Sequence, residues 1–143
     1  MKARISVEHI DEIRAKFQSM ADSLGPTLFK AYLKGAVKVQ NEARKSIQQG
    51  GRSGRIYRKN RGKHHQAAGP GEPPKTDSGV MVSSIAIEPE ENWVLVGSGL
   101  KYAKAQEFGT SNMPAHPWLV PSLEKNRREI EEEIQKATIR AVK

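Results

Sequence analysis

The chain has 143 residues, 36% of them hydrophobic, no cysteine and a formal net charge of +8. One domain spanning 1–143 is the expectation at that length. The missing cysteines exclude disulfides and thiolate zinc sites, and no apolar run approaches the ~20 residues of a membrane-spanning helix. With no apolar stretch behind its basic start, "MKARISVEH", the chain reads as an unexported, cytosolic protein without a membrane partner.

In chain order, "RISVEH", Arg4 to His9, reads as a short leading strand. From His9 the apolar residues Ile10, Ile13, Phe17, Met20 and Leu24 recur at steps of three and four, which places them on one face of a helix. Gly25-Pro26 is expected to end that helix, since proline donates no amide hydrogen and suits the first position of a new one. The second helix then runs to about Ile47, with Leu28, Tyr32, Ala36, Val39, Ala43 and Ile47 as its inward stripe. Both stripes are expected to be core.

Gln48 to Lys75 changes character. Its 28 residues are rich in Gly, Pro, Arg and Lys, with Ile56 and Tyr57 as the only large apolar groups. So little apolar mass does not offset the entropy of ordering. The segment is expected to be a mobile basic loop, with room for a short hairpin around Ile56-Tyr57. It also holds the charge excess: Ala43–Gly71 carries eight basic residues and no acid, leaving sixteen of each sign elsewhere. A neutral body carries a cationic insert.

After the loop, Thr76, Asp77 or Ser78 offers a cap for one helical turn over Gly79–Ser84. Ile85 and Ile87 alternate with Ala86 and Glu88, a polar turn lies at Glu90–Asn92, and Trp93–Gly97 is rich in strand formers, which predicts a β-hairpin. "LKYAKAQEFG" reads as a short helix stopped by Gly109. Pro114 and Pro117 push the residues before them toward extended geometry. The last helix is expected from about Pro117 to Val142, with Leu123, Ile130, Ile134, Ala137 and Ala141 on one face; Pro121 either sits in its first turn or moves the start later. The stretch between Gly109 and that helix is a stiff corner, with Phe108, Met113, Trp118 and Leu119 as apolar mass to bury. The fold class is thus α+β: two N-terminal helices and a long C-terminal helix on a small antiparallel sheet, with a long flexible basic loop at 48–75.

Chemistry is scarce. His64 and His65 are adjacent and point apart along a strand or a helix, His9 and His116 are isolated, and "GGRSGR" lacks the Lys-Ser/Thr ending of a phosphate-binding loop. The acids Glu129, Glu131, Glu132 and Glu133 read as a solvated helix face. The expectation is no enzyme, no cofactor and no metal.

Two stretches carry a resemblance. "YAKAQEFGTSNMPAHPWLVPSL", Tyr102 to Leu123, resembles the signature of the neck or tail-completion (head–tail joining) proteins of long-tailed double-stranded DNA bacteriophages, and "GPGEPPKTDSGVMVSSI", Gly69 to Ile85, is similar to a second motif of that family. His116 stands where the family often has arginine, Trp118 where phenylalanine is commoner and Met81 where leucine is usual.

The resemblance implies a non-catalytic structural virion protein, from a virus or a prophage. It would be assembled as a ring of identical copies at the head–tail junction beside head-completion and tail proteins, after a stay in the host cytoplasm. A subunit interface or its brace is then expected at Tyr102, Glu107, Phe108, Gly109, Thr110, Pro114, Pro117 and Trp118. Independently of the resemblance, Arg52, Arg55, Arg58, Lys59, Arg61 and Lys63 are expected to face double-stranded DNA without sequence preference, or to dock on an acidic partner. The rival reading makes the basic 44–63 segment the whole function, in a free nucleic-acid-binding protein.

Overall fold

One helix carries the first part of the chain. In the computed structural model, which describes residues 7–59 and 62–143, α1 runs from Val7 to Gln49 without interruption. The two expected N-terminal helices are therefore one, with Pro26 inside it. Two features let the helix pass through. Gly25 has no Cβ for the proline ring to strike, which removes part of the usual bar to helical geometry before proline. Asp22, Gly25 and Pro26 also lie on the exposed side, where water can take the hydrogen bond that proline cannot donate. Val7, Glu8 and His9 belong to α1, so the leading strand is not formed there; its remaining residues lie outside the described ones, as does the side chain of Ile10.

α4, Val120–Val142, lies antiparallel along α1. Lys38 pairs with Glu129, Lys34 with Glu133 at 4.0 Å, and Lys125 with Glu42. On each helix these positions are one turn apart, and the sign reverses at the last rung, which favours this register over a slip of one turn. Small residues, Ala31, Ala36, Ala137 and Ala141, are buried along the two helices. At Gly35 a Cβ would come within 3.1 Å of the Ile130 side chain, so glycine there lets Ile130 sit close against α1. Part of the acidic run thus serves the helix pair: Glu129 and Glu133 reach across to α1, while Glu132 pairs with Arg128 on its own helix.

The core gathers at the far end of α1. Ala43 and Ile47 meet Met81 of α2 (Val80–Ser84), Ile85 of β3 (Ile85–Pro89), Ala103 of α3 (Ala103–Phe108) and Trp118. The expected hairpin is present: β3 pairs antiparallel with β4 (Val94–Ser98), with Ile87 opposite Val96 on the inner face and Glu88 opposite Leu95 on the outer. The inward stripe predicted for the second half of α1 is also found, with Ala36, Val39, Ala43 and Ile47 buried and Leu28 and Tyr32 partly so.

The stripe predicted for the first half is not core. Ile13 and Phe17 are 54% and 69% exposed, because α4 ends beside Ser23 and nothing covers α1 beyond it among the described residues. The basic segment also holds more order than its composition predicts. β1 (Ile56–Arg58) pairs antiparallel with β2 (His64–Gln66), in a sheet separate from β3–β4. Backbone bonds from Gly51 to Pro73 (2.9 Å) and from Thr76 to Ile47 (3.2 Å) close its base. Polar bonds organise the segment where apolar burial is lacking.

Candidate functional site

The proline corner is built around one carboxylate. Glu107, buried on α3, accepts from the amides of Trp118 (2.8 Å) and Leu119 (2.9 Å) with Oε2 and from Val120 (2.9 Å) with Oε1. The first amides of an α-helix have no partner within it and form its positive end. A glutamate eleven to thirteen residues upstream therefore caps α4, in place of a residue at the helix start. The Ser122 hydroxyl donates to the Trp118 carbonyl, and the Asn126 side chain to the Ser122 carbonyl at 2.8 Å, continuing the brace into α4. Pro121 occupies the first turn, where its missing amide hydrogen costs no helical bond.

Gly109 makes the reversal between the two helices. Its φ of 72° and ψ of 180° lie in a region that essentially only glycine adopts, and a Cβ there would stand 2.8 Å from both the Ala115 nitrogen and the Met113 oxygen. Thr110 and Met113 then exchange backbone hydrogen bonds across a tight turn. Trp118 is 2% exposed, with its indole directed to the Ala103 carbonyl at 3.5 Å.

The two motifs that carry the resemblance meet in space. Gly71 donates its amide to Ala115 at 2.9 Å, and His116 donates from Nδ1 to the Glu72 carbonyl at 3.1 Å, which assigns the proton to that nitrogen because a carbonyl only accepts. The Glu72 carboxylate turns the other way and accepts from the amides of Gly69 (2.8 Å) and Ser53 (3.2 Å). The Gly69 amide first, then the Ser53 side chain and amide, hold this carboxyl below its usual range. Glu72 thereby ties the basic hairpin to the corner, a role that the sequence did not disclose.

The predicted interface residues divide into two sets. Glu107 and Trp118 are buried, and Gly109 and Pro117 are partly so; these are internal braces and not open contact surface. Tyr102, Phe108, Thr110 and Pro114 are exposed. Phe108, expected to bury against the body, is 68% exposed, because α3 turns its other face, Ala103 and Glu107, inward. Met113 and Leu119 are half-buried. Beside the corner lies an apolar cleft of about 410 Å³ between α1, β4 and the start of α4, lined by Tyr32, Val39, Trp93, Val96, Leu123 and Ile130 among others. Leu123, predicted on the inward face of α4, is 41% exposed at its edge.

On the hairpin, Arg52, Arg55, Arg58 and Lys63 are exposed, as is Tyr57. Arg61 lies outside the described residues. Lys59 is set apart from these: its ammonium pairs with Asp77, and hydrogen bond and charge together hold the Asp77 carboxyl below its usual range, with His65 at 4.0 Å adding to the effect. Among the described residues no three His, Asp or Glu side chains gather as a metal-binding group, and no helix is long and apolar enough to cross a membrane. Compared with protein-family models, with curated proteins and with solved structures, the chain finds no match.

Proposed function

We propose that the chain is a structural, non-catalytic component of the neck of a long-tailed double-stranded DNA bacteriophage or prophage, forming a ring of identical copies where the tail meets the capsid portal complex. The observation that carries this reading is the corner at Tyr102–Leu123. Its signature residues Glu107, Gly109 and Trp118 are spent on internal rigidity, while its aromatic residues Tyr102 and Phe108 are left outside. A contact surface that is already rigid loses little freedom on binding, and exposed aromatic side chains are the type that anchors protein interfaces. In a ring the contact is heterologous, one face against a different face of the next copy. The neighbours along the axis are then head-completion and tail proteins, and the location is the virion, reached from the host cytoplasm.

Phe108→Asp tests this, because the side chain is exposed and its replacement leaves the core intact. The expected result is an unchanged thermal melt together with loss of oligomers by native mass measurement and loss of joined, infective particles in complementation. Particles that assemble and infect normally would refute the role of the corner. Trp118→Ala is a poorer probe, since removing a buried Trp costs about 3–5 kcal/mol of stability by itself.

A second reading is favoured by one observation, the outward display of Arg52, Arg55, Arg58 and Lys63 around an exposed Tyr57. This arrangement suits phosphate contact with an aromatic platform, either along the conduit of the ring or in a free nucleic-acid-binding protein that uses the basic 44–63 segment.

A further inference from the structure

α1 extends well past the body it belongs to. The Ser23 hydroxyl donates to the Ala141 carbonyl at 3.0 Å, close to the end of α4. Val7–Asp22 therefore project as an arm of about 24 Å at ~1.5 Å per residue. Residues 11–19 are exposed without exception. On this arm Ile13, Phe17 and Met20 recur at steps of four and three, so they stack on one side; by helical geometry Lys16 borders that stripe on one flank, and Arg14, on the other, pairs with Asp11 at 3.9 Å. An apolar stripe on an exposed helix is the pattern of a surface that is covered in use.

The same chain carries an open apolar cleft. Through Tyr32 and Asn92 it continues into a second hollow edged by Glu90 and Glu91. Glu88, Glu90 and Glu91 are exposed, and none of them takes part in an ion pair among the described residues. The continuous α1 supplies both the arm and, from Gly25 onward, a wall of these hollows, which keeps the arm from folding back onto its own cleft.

We infer that the arm of one copy lies in the cleft of the next, with Phe17 against Trp93 and with Lys16 facing Glu90 and Glu91. The occupant is a second copy because stripe and cleft match twice, apolar side on apolar lining and the Lys16 flank on an acidic rim. Donor and acceptor are different faces of one chain, so the contact runs head to tail and either closes into a ring or continues as a filament. The inference deepens the ring reading and rests on it for closure alone.

The absence of cysteine makes a direct test possible. In the full chain, Phe17→Cys and Asn92→Cys are combined, both at exposed positions, and the protein is oxidised mildly. The expected result is a ladder of disulfide-linked multimers on a non-reducing gel, with Phe17→Cys alone giving only traces of dimer. Adding Lys16→Glu should cut the ladder by roughly fivefold or more, and Glu90→Lys with Glu91→Lys should restore it. Strong dimers from Phe17→Cys alone would mean that arms pair with each other, and would overturn the inference. A wild type that forms rings while the double variant gives no ladder would overturn the arm placement and leave the ring reading standing. A ladder from the double variant, beside a wild type that grows only into open filaments, would sink the ring reading and leave the arm placement standing.

Discussion

Three amides at the start of α4 point at the Glu107 carboxylate, and the energetics of removing it are asymmetric. A made hydrogen bond adds about 1 kcal/mol net, whereas a buried donor left without a partner costs about 1–3 kcal/mol. Trp118 is buried and Leu119 and Val120 are less so, which allows water to reach part of the site. Glu107→Ala should therefore lose about 3 kcal/mol in denaturant unfolding, and Glu107→Gln, which keeps one acceptor oxygen, clearly less; a loss under about 1 kcal/mol for the alanine variant would show that other contacts hold the corner. Gly109 was legible in the sequence because a glycine after a short helical run has few other uses. Glu107 was not legible in that role: a glutamate near a helix end ordinarily reads as solvated, and its partners lie eleven to thirteen residues away. The available signal was the proline-rich start of α4, which offers no Ser, Thr, Asp or Asn immediately ahead of Val120 to cap it.

Pro26 shows how a strong local signal is overridden by neighbouring elements. Met20, Leu24 and Leu28 follow one another at steps of four across the Gly25-Pro26 pair. That conserved phase marks one helix, because two independent helices have no reason to share it. The proline is tolerated on the exposed side while the chain around it stays helical, so it remains a cost without evident compensation. Pro26→Ala should stabilise the protein by about 1–3 kcal/mol, given the ~3 kcal/mol difference between proline and alanine inside a helix. Thermal melting with far-ultraviolet dichroism checks this, and a lower melting temperature would indicate that the arm needs a bend there. The β3–β4 hairpin was readable from alternation because one face is covered and the other is wet, whereas β1–β2 was only partly readable, since its order comes from Glu72 and backbone bonds and not from a hydrophobic pattern. The arm could not be told from core by periodicity, because an amphipathic stripe has the same spacing whether its cover is its own chain or another.

At the level of the whole molecule, the charge segregation visible in the sequence becomes a spatial one. The helix pair carries its own ion-pair ladder, and most of the excess positive charge belongs to the hairpin segment, tied to the body through Glu72 and the Lys59–Asp77 pair, while Arg44 and Lys45 lie on α1. Lys59 is thereby engaged, which leaves Arg52, Arg55, Arg58 and Lys63 as the exposed cations of the described hairpin. If these meet DNA, the contacts are to phosphate, and each one lost should lower the slope of log affinity against log salt by about 0.9. Replacing all four with glutamine should weaken duplex binding most at low salt and reduce that slope by roughly 3 to 4, while the oligomers measured for the unmodified chain persist. The persistence of oligomers distinguishes the two readings, because a protein whose purpose is DNA binding loses its function with the hairpin charges, whereas a ring built on the corner and the arm does not. Titration of one duplex at two salt concentrations, beside a mass measurement on the same sample, decides it: unchanged affinity would remove DNA as the partner and leave the hairpin for an acidic protein surface.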